Sequence, residues 1–152
     1  MSDAARLEIP PVRKAVTVPC RPEEAFRMFA GEMSAWWPLS THSVSREDAV
    51  RVEVEPGAGG HIVETAADGS RHVWGTVSAW EPGTRLAFTW HPGEPESHAT
   101  LVEVTFTAAD HGRTRVELVH GGWEQHPAGT SVRESYVPGW DYVLGRYVAG
   151  VH

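Results

Sequence analysis

Only one cysteine, Cys20, occurs in the 152 residues, which excludes an internal disulfide and suits a reducing cytoplasm. No stretch approaches the roughly 20 consecutive apolar residues of a membrane-spanning helix. The opening MSDAARLEIPPV lacks the apolar run of a secretory signal. Basic clusters are missing too: nothing is longer than Arg13-Lys14, and 13 Lys and Arg face 20 Asp and Glu for a net charge of −7. Attraction to a phosphate backbone therefore has no source. Nine histidines are present, but none shows an H-E-x-x-H or helical H-x-x-x-H spacing or a cysteine partner nearby. His120 and His126 merely bracket a Gly-Gly pair, and no G-x-S-x-G elbow occurs. The expectation is a cytoplasmic protein with no metal and no cofactor, acting on neither nucleic acid nor the membrane interior.

Tryptophan, by contrast, is plentiful. Trp36, Trp37, Trp74, Trp80, Trp90, Trp123 and Trp140 exceed what the core of a chain this size needs. The patterning places them. Residues 1–11 read as a flexible tail ending in Pro10-Pro11, followed by one domain over 12–152. Lys14 to Val18 suits a first strand. Pro22, with Glu23 and Glu24 behind it, suits a helix start, and Phe26, Phe29 and Met33 fall on one helical face. Gly31 ends or bends that helix, and Ser34 to Trp37 forms a second short one before Pro38.

From Ala49 the period changes to two, with Val50, Val52 and Val54 alternating with charged residues. Turn signals at Pro56-Gly57, Asp68-Gly69, Pro82-Gly83, Pro92-Gly93 and His111-Gly112 separate further short apolar runs. Six or seven strands on short turns make an antiparallel meander, because parallel strands would require crossover helices. Trp140, Val143, Leu144, Tyr147, Val148 and Val151 then form a wide helical stripe, with Pro138 either in its first turn or kinking a helix begun near Thr130. The fold class is α+β: a curved antiparallel sheet wrapped around a long C-terminal helix, with a gap at the open end that forms a pocket.

Strand parity sorts the pocket candidates. Phe88 and Trp90 share an inward face with Leu86, Val104 with Val102 and Phe106, and His120 with Val116 and Leu118. His120 is either a hydrogen-bonded core histidine or a polar anchor or acid/base group. Trp74, Trp90, Trp123 and Trp140 are candidate lining, and at most one of Trp36 and Trp37 lines it deeply. His42 reaches the same mouth or lies exposed in a loop. His61 and Glu64 have opposite parity, so one of them points inward. Tyr136 offers a hydroxyl to a ligand carbonyl.

The run VTVPCRPEEAFRMF with the following WWP, Gly59-Gly60, GTVSAWEPGTRLAFTW and GWDYVLGRYV resemble, in this order, the SRPBCC (START-like, helix-grip) superfamily. Within it they are most similar to the branch called activator of heat-shock-protein ATPase homologue-like, over Arg13 to Val151. That resemblance implies the helix-grip fold and a small hydrophobic ligand, aromatic, lipid- or polyketide-like, bound or sequestered in an internal cavity. Relatives carrying the WWP-type segment include self-resistance proteins that capture a reactive natural product. Non-enzymatic binding by a monomer or weak homodimer is favoured. The alternative is a cyclase-, dehydratase- or hydrolase-like enzyme using a pocket His or Tyr, and the third reading is a chaperone ATPase accessory, for which a chaperone partner is not expected.

Overall fold

The structure, a computed structural model, describes residues 9–151. Most of the tail expected over residues 1–11 lies outside the described residues. Pro10 and Pro11 are within them, and their carbonyls accept hydrogen bonds from the Arg133 guanidinium. Strand β1 (Val12–Val18) leads into helix α1 (Pro22–Phe26), a π-helical turn (Arg27–Gly31) and helix α2 (Met33–Trp36). Strands β2 (Ala49–Val54), β3 (His61–Ala66), β4 (Arg71–Glu81), β5 (Arg85–Trp90), β6 (Thr100–Ala108) and β7 (Thr114–Gly121) follow. Helix α3 (Gly129–Gly150) closes the described chain. The result is the helix-grip arrangement: one antiparallel sheet, ordered β1-β7-β6-β5-β4-β3-β2, curled around α3.

The short helices follow from their sequence. Pro22 opens α1 with acidic residues in the first turn, where the exposed amides favour negative charge. Phe26, Phe29 and Met33 are all buried, so one apolar face persists although the helix is interrupted by the π turn and breaks at Glu32. Pro138 falls inside α3, where its missing N–H leaves the Glu134 carbonyl without the usual partner. The stripe beyond it holds: Trp140, Val143, Leu144 and Tyr147 are buried against the sheet, and the Tyr147 hydroxyl donates to the Ala25 carbonyl (2.7 Å).

Simple alternation fails in two strands. In β4, Trp74 and Ser78 fall at register shifts, each an extra residue opposite its partner strand. Inward positions therefore recur at Trp74, Val77 and Trp80 rather than at every second residue, and Val77 and Trp80 stand opposite inward-facing Phe88 and Leu86. A similar shift between Ala49 and Arg51 leaves Val50 exposed while Val52 is buried, which corrects the expected uniform Val50/Val52/Val54 face. At the first β4 bulge Gly75 lies so close to β5 that a Cβ would stand 1.7 Å from the Thr89 carbonyl oxygen. No helix among the described residues is long and apolar enough to cross a membrane.

Candidate functional site

Between α3 and the end of the sheet where β5 finishes lies a cavity of about 700 Å³. Trp37 after α2, Trp90 at the end of β5, and Tyr136 and Trp140 on α3 build its walls, and the loop containing His42 and Arg46 forms its mouth. Gly139 opens room on the helix side, since a Cβ there would meet nothing within 4 Å. The three indoles meet one another, with Trp37 5.7 Å from Trp90 and 6.0 Å from Trp140, and Trp90 5.9 Å from Trp140 between ring centroids. Such contacts hold aromatic faces at fixed angles.

Each wall indole also spends its N–H inside the protein. Trp37 donates to the His42 carbonyl (2.7 Å), Trp90 to the Tyr136 hydroxyl (2.9 Å) and Trp140 to His120 Nδ1 (2.9 Å). What these three indoles present to the cavity is therefore ring surface. Tyr136 accepts from Trp90, and its own proton has no acceptor among the described residues. Burial pushes the Tyr136 hydroxyl up, so it keeps that proton near neutral pH. His42 stacks on Tyr142 and shares its Nδ1 with the Thr41 hydroxyl, and burial lowers its pKa.

His120 does not line the cavity. Trp123, Tyr136 and Trp140 surround it, with ring centroids 4.0, 4.9 and 5.9 Å away. An indole can only donate, so the bond from Trp140 makes Nδ1 the acceptor and puts the proton on Nε2. That proton points to Thr100 Oγ1 (2.7 Å), whose own hydroxyl donates to the Trp90 carbonyl (3.3 Å). The Trp123 indole donates to the His120 carbonyl (2.8 Å). Burial lowers the imidazole pKa to about 3, so His120 is a neutral link joining β5, β6, β7 and α3 rather than an acid/base group at the cavity.

Other sequence candidates also stand behind the wall. Trp36 packs on Phe29 and Tyr147 and donates to the Met28 carbonyl, leaving Trp37 as the partner that faces the cavity. Trp74 lies beneath Trp37 and Trp90. Phe88, Val104 and Trp123 are core residues. Trp37, His42, Trp90, Tyr136 and Trp140 are the candidates brought together at the cavity.

Glu64, not His61, turns inward: it is fully buried, while His61 is exposed. Its carboxylate accepts from the amides of Val44 (2.8 Å) and Ser45 (2.7 Å) and from the Trp74 indole (2.9 Å). Burial alone would raise its pKa, but these donors outweigh burial and hold it below the usual carboxylate range. Glu64 thus pins the mouth loop. The signal was present in Ile62, an apolar residue sharing its parity.

The chain also brings together three residues that sequence spacing does not suggest. Glu94, His98 and His126 place ligand-type atoms within 4.8 Å of one another. They are engaged with each other: Glu94 Oε1 meets His98 Nδ1 (3.2 Å) and Oε2 meets His126 Nε2 (2.5 Å). His126 Nδ1 accepts the Ala128 amide, so Nε2 carries the proton it gives to Glu94. A metal-bound imidazole donates its other N–H, and the Ala128 amide stands where that acceptor would have to be. The geometry fits a clasp between the β5–β6 loop and the start of α3 better than a cation site.

A family model described as "Activator of Hsp90 ATPase homolog 1-like protein" matches residues 19–148. The chain is similar to the solved anthrahydroquino-gamma-pyrone synthase Txn09, with 32% identity, 93% of this chain and 97% of that one covered, and a TM-score of 0.65. Similar in fold are the self-sacrificing resistance protein CalC from Micromonospora echinospora (23% identity, 92% of each chain, TM-score 0.66) and the Aha1 dimer from Colwellia psychrerythraea (16% identity, 94% and 96%, TM-score 0.65). No curated protein matches the sequence.

Proposed function

The chain belongs to the family of Activator of Hsp90 ATPase homolog 1-like proteins, and from that footing we propose that it binds a small, flat, largely apolar ligand of aromatic polyketide type in its cavity. The observation that carries this reading is the wall of Trp37, Trp90 and Trp140, whose N–H groups are all consumed internally so that ring surface faces about 700 Å³ of space. That volume lies within the roughly 300–1,000 Å³ of small-molecule sites, and fused rings would stack on such walls. Similarity to a solved anthrahydroquino-gamma-pyrone synthase supports the same class of ligand. Titration with an anthraquinone probe tests it: binding should quench the fluorescence of the wall tryptophans and raise the thermal midpoint. Unchanged fluorescence and midpoint at saturating probe would remove the reading.

A second reading, a cyclase-like enzyme on the same ligand, has one specific support. Tyr136 holds an unused proton at the cavity and sits in a chain 32% identical to a named synthase. It makes Tyr136, not His120, the proton donor to a ligand carbonyl. Mass analysis of an aromatic polyketide precursor after incubation separates the two: a changed mass that depends on Tyr136 favours catalysis, and unchanged recovery favours binding.

A further inference from the structure

The charge of the cavity runs against that of the whole chain. The protein carries 20 acidic side chains and a net charge of −7, yet among the described residues no Asp or Glu lines the cavity, and the one formally charged side chain in its wall is Arg46. Glu47 and Asp48, which follow Arg46 in the same turn, are exposed and form no ion pair with it among the described residues, and two further carboxylates near the wall are tied down elsewhere. Glu64 is saturated by Val44, Ser45 and Trp74, and Glu94, next to lining Gly93, is held by His98 and His126. The Arg46 guanidinium has no hydrogen-bond or ion-pair partner among the described residues.

Arg46 is also held in an uncommon conformation. Its φ of 52° lies in the left-handed region, which costs a non-glycine residue about 1 kcal/mol or more. The Ser43 hydroxyl, accepting the Arg46 amide (2.8 Å), fixes that turn, and Ser43 in turn donates to the Leu39 carbonyl. Glycine would relax the position, and arginine occupies it. The remaining cavity hydroxyls are engaged as well: Ser135 donates to Val132, and Thr41 pairs with His42. Apart from the second nitrogen of His42, the cavity therefore offers two free side-chain donors among the described residues, the Tyr136 hydroxyl and the Arg46 guanidinium.

We infer that the ligand is an acidic aromatic compound, with an anionic oxygen at the Arg46 end and a second oxygen accepting the Tyr136 proton. The inference rests on the reading that the cavity holds an aromatic ligand. A guanidinium facing a carboxylate or ionised phenol forms a charge-assisted pair, stronger than a neutral hydrogen bond, and no wall carboxylate competes for it. A neutral ligand would leave Arg46 to water and make no use of the strained turn.

The test uses the full chain and two probes of equal ring size, anthraquinone-2-carboxylate and anthraquinone-2-carboxamide, titrated by tryptophan quenching. The carboxylate should bind about tenfold more tightly than the amide. In Arg46→Gln that advantage should vanish, and in Arg46→Lys, which keeps the charge but loses the fork, part of it should remain. Equal affinities in the unaltered protein would overturn the inference while leaving the aromatic cavity standing, and so would an advantage that persists in Arg46→Gln. If neither probe binds, the reading of the cavity falls and the inference with it.

Discussion

Replacing His120 by Phe should produce a stability deficit that disappears in acid. The ring volume is nearly kept, so the stack on Trp123 survives, but the Trp140 indole loses its acceptor. Thr100 still donates to the Trp90 carbonyl, so one buried donor is orphaned, at a cost of about 1–3 kcal/mol. A deficit of about 2 kcal/mol is expected near neutral pH. The unaltered protein, however, carries a proton linkage that the variant lacks. Unfolded, an imidazole titrates near about 6.5; folded, His120 does so only at about 3. Between those values the unfolded chain binds the additional proton, so His120 favours folding fully above the unfolded pKa and loses that contribution as pH falls towards the folded one. The slope is about 1.4 kcal/mol per pH unit. The two proteins should therefore reach equal stability near about pH 5, below which the variant is the more stable. Urea unfolding followed by far-ultraviolet circular dichroism at several pH values checks this, with other titrating groups cancelling in the difference. A gap of the same size at pH 7 and pH 5 would refute the burial argument, and no gap at pH 7 would refute the bond that sets the tautomer.

Glu64→Gln places an amide among three donors, so it should cost about 2 kcal/mol at neutral pH. Because the carboxyl is held below its ordinary value, its stabilisation is present above that value and lost as pH falls through the folded one; acid titration should show a flatter loss in the variant. Tyr136→Phe strands the Trp90 indole N–H and removes the free proton, which should cost about 1–2 kcal/mol in unfolding measurements and weaken an anthraquinone probe several-fold. Gly75→Ala forces a methyl into the Thr89 carbonyl, so a loss of at least about 3 kcal/mol is expected, seen as poor folding in circular dichroism; near-native stability would show that the bulge relaxes easily.

Much of the architecture was legible because it repeats. Period-two strands, turn punctuation and the stripe on α3 are local patterns, and the sheet and its helix follow from them. The residues that shape the site are where repetition breaks. The β4 bulges cannot be read from alternation, because Trp74, Val77 and Trp80 face inward only if two residues are skipped. Parity correctly put His120 on the inner face, yet parity gives a face and not a depth. The larger rings of Trp140 and Tyr136, arriving from α3, cover it. Arg46 left no periodic trace, since its place depends on a loop pinned by a carboxylate two strands away. The Glu94, His98 and His126 clasp joins two loops distant in sequence, and only the closed sheet brings them within reach.

The strand order also dictates when the cavity comes into being. Neighbours from β2 to β7 are successive in sequence and can pair as each hairpin leaves the ribosome. β1 has no such partner, because Val12 stands opposite His120 and Val18 opposite Thr114. Closing so long a loop is slow and must wait for β7. The cavity waits longer still, since Tyr136, Gly139, Trp140 and Val143 supply its helix side. A nascent chain halted before α3 carries the tryptophans Trp37 and Trp90 with no helix to enclose them, so the cavity exists only once α3 has been made.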